Sequence, residues 1–236
     1  MTGTHRAGRG LASAVAGLAI AAVALAGCSS AGNAANTGTA NSGNAATRAS
    51  AAAPNVAAET GLYAAMRQLW AQHMEWTYAT VDAFFHDQKA VQPTLNRLLQ
   101  NQRDIGAAIA PYYGQAAAGK LTNLLLTHIN DAVPVLQAAQ AGNSANLNKA
   151  TTAWYANAKQ IADLLSSANP TNWPTSATEP MLKEHITQTI AYSVDLLKGN
   201  YPQAITDFDK AEQHMAMLAD TLSKGIIAQF PKKFTS

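Results

Sequence analysis

A single cysteine in 236 residues leaves the chain no way to form a disulfide within itself, so an apolar core must hold it. Charge is sparse, with Asp, Glu, Lys and Arg making up 13% of the residues. That excludes the polybasic stripe expected of a nucleic-acid binder. Aromatics are only 7%, and none precedes Tyr63. Period-2 alternation is missing over any useful length and β-branched residues are few, which argues against strands. Ready-made catalytic signatures are missing too. There is no phosphate-cradling glycine loop, no nucleophile elbow, no His-Glu-x-x-His and no Glu-x-x-His of the di-iron bundles.

What is present begins with the amino terminus. Arg6 and Arg9 form a basic head, and Leu11 to Ala24 are an unbroken run of Ala, Leu, Ile, Val, Gly and Ser. This is the layout of a secretory signal, too short and too rich in Ala and Gly for a membrane span. It ends in Leu25-Ala26-Gly27-Cys28, which resembles the lipobox of bacterial lipoproteins. The resemblance implies cleavage after residue 27, lipidation of Cys28 through its thiol, and a protein anchored to the cell membrane on its extracytoplasmic side. The membrane is then a partner through the acyl chains. Removing residues 1–27 takes away two arginines and no acid, leaving 14 basic against 14 acidic residues.

Residues 28–57 are then the lipidated cysteine and a tether. From Ser29 to Ala57 the chain is mostly Ala, Asn, Gly, Ser and Thr, with one charge and no aromatic. Such a segment buries too little apolar surface to offset its ordering entropy. As a random coil its ends would lie on the order of 30 Å apart.

Residues 58–236, about 180 in all, are enough for one core. Their apolar spacing predicts an all-α, antiparallel, up-and-down bundle of about six helices. They fall at about 58–87, 91–110, 114–141, 144–168, 176–199 and 200–229. Pro111 separates the second from the third, unless these are one long element broken there, and Pro134 should kink the third. Asn143 or Ser144 caps the fourth, Ser176 and Glu179 form a capping box on the fifth, and Asn169 to Pro174 make a turn. Trp70, Trp76, Trp154 and Trp173 read as packing anchors. Met66, Met74, Met181, Met215 and Met217 read as core filling, and Pro231 to Phe234 as a solvated end.

The histidines are distributed unusually. His73 follows Leu69 by four and Trp70 by three, His128 follows Leu124 by four, and His185 follows Leu182 by three. All three point inward, each from a different helix. His214 flanks the stripe of Phe208, Met215 and Leu222, while His86 faces solvent. Asn101 and Asn157 also fall on inner faces, with Asp104 beside them. Burying so many polar groups is costly unless they bond one another, a metal or a ligand.

Several phrases are distinctive. They are Leu69-Trp70 with His73 and Trp76; Asn101-Gln102-Arg103-Asp104-Ile105-Gly106 before Pro111-Tyr112-Tyr113-Gly114; Trp154-Tyr155-Ala156-Asn157-Ala158; Ser167-Ala168-Asn169-Pro170 with Trp173-Pro174; and Gln229-Phe230-Pro231. Together they resemble a family of small all-helical bacterial proteins of unassigned function, some labelled glycosyltransferase or acetylglutamate kinase. The resemblance covers about 60–236 and implies a site at His73, Asn101, Asp104, His128, Asn157, His185 and His214. The α/β pattern and nucleotide loops that such enzyme labels require are not in this chain.

Three functions follow from these residues. The first is binding of a metal ion or small ligand inside the bundle. His73, Asp104, His128, His185 and His214 would ligate a transition metal such as Zn, Cu, Fe or Ni, and Asn101, Asn157 and Trp76 would contact a ligand. The second is an enzyme with a core histidine as general base, oriented by Asp104. The third is a structural or interaction bundle whose histidines form a hydrogen-bond network.

Overall fold

The computed structural model describes residues 53–235. The predicted signal segment, the lipidation site at Cys28 and the tether up to residue 52 lie outside the described residues. The described part is all-α. It has five α-helices: α1 (Val56–His86), α2 (Gln88–Gln140), α3 (Ser144–Ala168), α4 (Thr175–Leu197) and α5 (Tyr201–Gln229). A 3-10 turn follows at Pro231–Lys233. Among the described residues, none of these helices is long and apolar enough to cross a membrane.

Local chemistry explains most boundaries. Asn55 caps α1, its side chain accepting from the Ala58 amide at 3.1 Å. Asn143 does the same for α3 through Asn146. Gly142 (φ 63°) and Gly199 (φ 68°) take the left-handed conformation that closes α2 and α4. The capping box expected on α4 does not form. Pro174 precedes that helix without a side-chain cap, and Glu179 pairs instead with Lys183 at 2.6 Å.

The two segments expected at 91–110 and 114–141 form one long element, α2, whose backbone departs from helical values only at Gly114 (φ 80°, ψ 166°). The break therefore lies at the glycine rather than at Pro111, because that backbone region is open almost only to glycine. Nor does Pro134 break the helix. Pro134 and Asn130 are both exposed, on a face where water can satisfy a carbonyl left without an amide partner.

Each helix packs against its neighbours in sequence, and α1 also packs against α5. The core runs through Met66, Met74, Ile105, Ile186, Leu218 and Ile226, each no more than 1% exposed. Trp70, Trp154 and Trp173 are buried anchors, as their spacing indicates, and so are Met66, Met74 and Met215. Met217 is exposed and fills no core.

The carboxyl end is not a solvated tail. Phe234 is buried and stacks on Tyr112 with ring centroids 5.9 Å apart. The Asn55 amide donates to the Phe234 carbonyl at 2.7 Å, and Pro54 bridges Thr235. Phe234 had an apolar surface to join, and the lysines before it did not.

Candidate functional site

Three of the five predicted metal-ligating residues meet in the core. His73 comes from α1, His128 from α2 and His185 from α4, all buried. His73 Nε2 and His185 Nε2 are 3.2 Å apart. The His128 ring stacks on that of His185 with centroids 5.8 Å apart and planes 23° apart. Trp70 flanks His73, and Trp154 flanks His128 at 5.2 Å.

The amides around this cluster decide where the protons sit. Asn101 donates from Nδ2 to the Leu69 carbonyl at 2.9 Å, which turns its Oδ1 toward Gln102. Gln102 Nε2 lies 3.0 Å from the Leu98 carbonyl and 3.1 Å from Asn101 Oδ1, so this atom must be the amide nitrogen. The same nitrogen is 3.1 Å from His73 Nδ1, and because an amide nitrogen cannot accept, His73 turns its unprotonated Nδ1 to it, the two N–H groups being shared among three acceptors. His73 then carries its proton on Nε2 and donates to His185 Nε2. That leaves the His185 proton on Nδ1, a buried atom with no partner. On the other side Asn157 donates from Nδ2 to the Leu124 carbonyl at 3.1 Å, turning Oδ1 toward His128 Nδ1 at 2.9 Å. His128 thus carries its proton on Nδ1, and its Nε2 is a bare acceptor.

Burial holds all three rings neutral. Loss of solvation is the main cause in each case, and it pushes His73 down to about 3 and His128 down to about 4. His185 lies well below the ordinary value, lowered further by His73, His128 and His214.

Beside the rings is a cavity of about 140 Å³. His73, His128 and His185 lie at its buried end, and half-buried Phe84, Val91 and Leu95 lie at the other. No carboxylate, lysine or arginine lines it. Two of its threonine hydroxyls are engaged by their own helix, Thr77 donating to the His73 carbonyl and Thr80 to the Trp76 carbonyl, both at 2.6 Å, whereas the buried hydroxyl of the third, Thr189, has no partner.

Asp104, His214 and Trp76 stand apart from this cluster. Asp104 is half-exposed, accepting from Gln100 at 2.9 Å and lying 3.9 Å from Arg97. His214 is half-buried and donates from Nε2 to the Met181 carbonyl at 2.8 Å. It reaches the cluster only through the turn of α4 that leads to His185. Trp76 is half-buried under the Arg97 guanidinium, 5.5 Å from its ring centre. Among the described residues, no three His, Cys, Asp or Glu side chains converge as a metal site would require. His86, expected at the surface, is exposed and pairs with Asp82 at 3.0 Å.

Gln102 is the buried polar residue of the cluster that the histidine pattern passed over. It is fully buried and links Asn101 to His73. The signal was available, because Gln102 follows Leu98 by four and precedes Ile105 by three, on the stripe that carries the core.

Compared with family models, curated proteins and solved structures, the chain matches none.

Proposed function

We propose that this protein is a lipid-anchored, extracytoplasmic binding protein, an up-and-down bundle that takes a small ligand into the cavity beside His73, His128 and His185. The observation that supports this most directly is the bare Nε2 of His128 in the wall of a cavity of about 140 Å³. The same wall carries two buried polar atoms without partners, His185 Nδ1 and Thr189 Oγ1, and such atoms are costly unless something binds to them. The amides of Asn101, Gln102 and Asn157 act on the ligand indirectly, by holding the three rings in fixed tautomers. Cys28 carries the anchor, so Cys28→Ala should move the protein from the membrane fraction to the soluble fraction.

The ligand reading is tested by filling the space. Benzene-saturated buffer should raise the thermal midpoint of the full-length protein and shift the methyl resonances of Ile129 and Val133. Ala132→Phe, which places a ring in the cavity, should remove both responses. Unchanged methyl resonances in the unmodified protein would refute the reading.

A metal remains the second reading because of one distance. The 3.2 Å between His73 Nε2 and His185 Nε2 is close to the roughly 3.3 Å between two nitrogens on a tetrahedral ion with bonds near 2.0–2.1 Å. The tautomers oppose it. A ligating His73 Nε2 would need its proton on Nδ1, facing the amide nitrogen of Gln102. Near-stoichiometric zinc retained by the dialysed protein, and lost in His185→Ala, would favour the metal.

A further inference from the structure

The cavity beside the histidines restricts what it can hold, and the restriction goes beyond ligand binding as such, although it rests on that reading. Size is the first limit. About 140 Å³ is close to the engineered apolar cavity of about 150 Å³ that stays dry and admits benzene. Charge is the second. With three neutral imidazoles and no ionic side chain in the wall, an anion or a cation entering it would lose its hydration without a counter-charge. Polarity is the third. The Thr77 and Thr80 hydroxyls donate to their own helix. That leaves the bare nitrogen of His128 as an acceptor, on a wall that also carries the unpaired Thr189 hydroxyl and His185 Nδ1.

We propose that the cavity takes a small neutral molecule, largely apolar and about the size of a benzene ring with one substituent, whose single hydroxyl donates to Nε2 of His128. Phenol is the probe and toluene its isostere without the hydroxyl. In this arrangement Asn157 is a positioning residue. By accepting the Nδ1 proton it keeps the lone pair on the nitrogen that faces the ligand.

Binding of phenol, toluene and benzoate to the full-length protein is measured at pH 7 by calorimetry, in the unmodified chain and in His128→Leu. Phenol and toluene should both bind and benzoate should not. The preference for phenol over toluene should fall about tenfold in His128→Leu, as expected when a buried polar group loses its partner. In parallel, ¹⁵N spectra of the unmodified protein should show the unprotonated Nε2 resonance of His128 moving with phenol and staying still with toluene. This reading does not depend on the variant folding. A phenol-to-toluene preference unchanged by His128→Leu, a still Nε2 resonance, or benzoate binding as tightly as phenol would each overturn the hydroxyl-donor assignment while leaving a binding cavity. Failure of both phenol and toluene to bind would overturn the cavity reading itself.

Discussion

Gly61 and Gly225 are both helical glycines, and their surroundings are opposite. A Cβ at exposed Gly61 meets nothing within 4 Å. A Cβ at Gly225 would overlap the indole of Trp173, which is buried and donates to the Thr221 carbonyl at 3.2 Å. Alanine gains about 0.5–1 kcal/mol over glycine in a helix interior. Overpacking a fixed core side chain costs about 1–3 kcal/mol, which exceeds that gain. Gly61→Ala should therefore raise the urea midpoint and Gly225→Ala should lower it. The sequence shows two glycines inside apolar-periodic stretches and nothing to separate them. Residues from 173 and 225 meet only once α5 has packed on the loop before α4. Gln102 differs from both, because its burial was legible from its spacing. Its partner was not, since His73 lies 29 residues away on another helix.

At the scale of the element, α2 shows which local signals prevail. Pro93, Pro111 and Pro134 all lie inside it, yet its backbone departs from helical values only at Gly114. Proline removes one amide donor and crowds one carbonyl, a cost that water can reduce on an exposed face. A backbone at φ 80° and ψ 166° has no such remedy for a residue with a side chain. Gly114→Ala should therefore lower stability by about 1–3 kcal/mol. A D-alanine there, which favours positive φ, should recover most of it in a semisynthetic chain, as read by thermal unfolding. The neighbouring Tyr113 makes the site sensitive. Its hydroxyl donates to Gln229 at 2.6 Å and its ring meets Phe230, so the break aims an aromatic pair at the end of α5.

The whole molecule answers to pH through its buried imidazoles. In the unfolded chain each titrates near 6.5, while in the fold His73 titrates at about 3 and His128 at about 4. Between these values the unfolded chain binds more protons, so stability falls as pH falls. Stability should be full above about pH 6.5 and should decline steadily toward pH 4, by several kcal/mol in all. Urea midpoints measured between pH 7 and pH 4 would show the slope. A slope unchanged in His73→Gln would show that this ring is not the cause.

Composition, spacing and turn residues alone determined that the described residues would be helical, that Asn143, Gly142 and Gly199 would mark ends, and that His73, His128 and His185 would point inward. Each of these is a matter of period or local backbone preference, felt within a few residues. Tertiary structure alone decided that the three histidines meet, that Asp104 does not join them, that Phe234 returns to the core, and which nitrogen of each ring carries the proton. Those outcomes depend on carbonyls and amides brought together from helices far apart in the chain, where most buried polar groups find a partner.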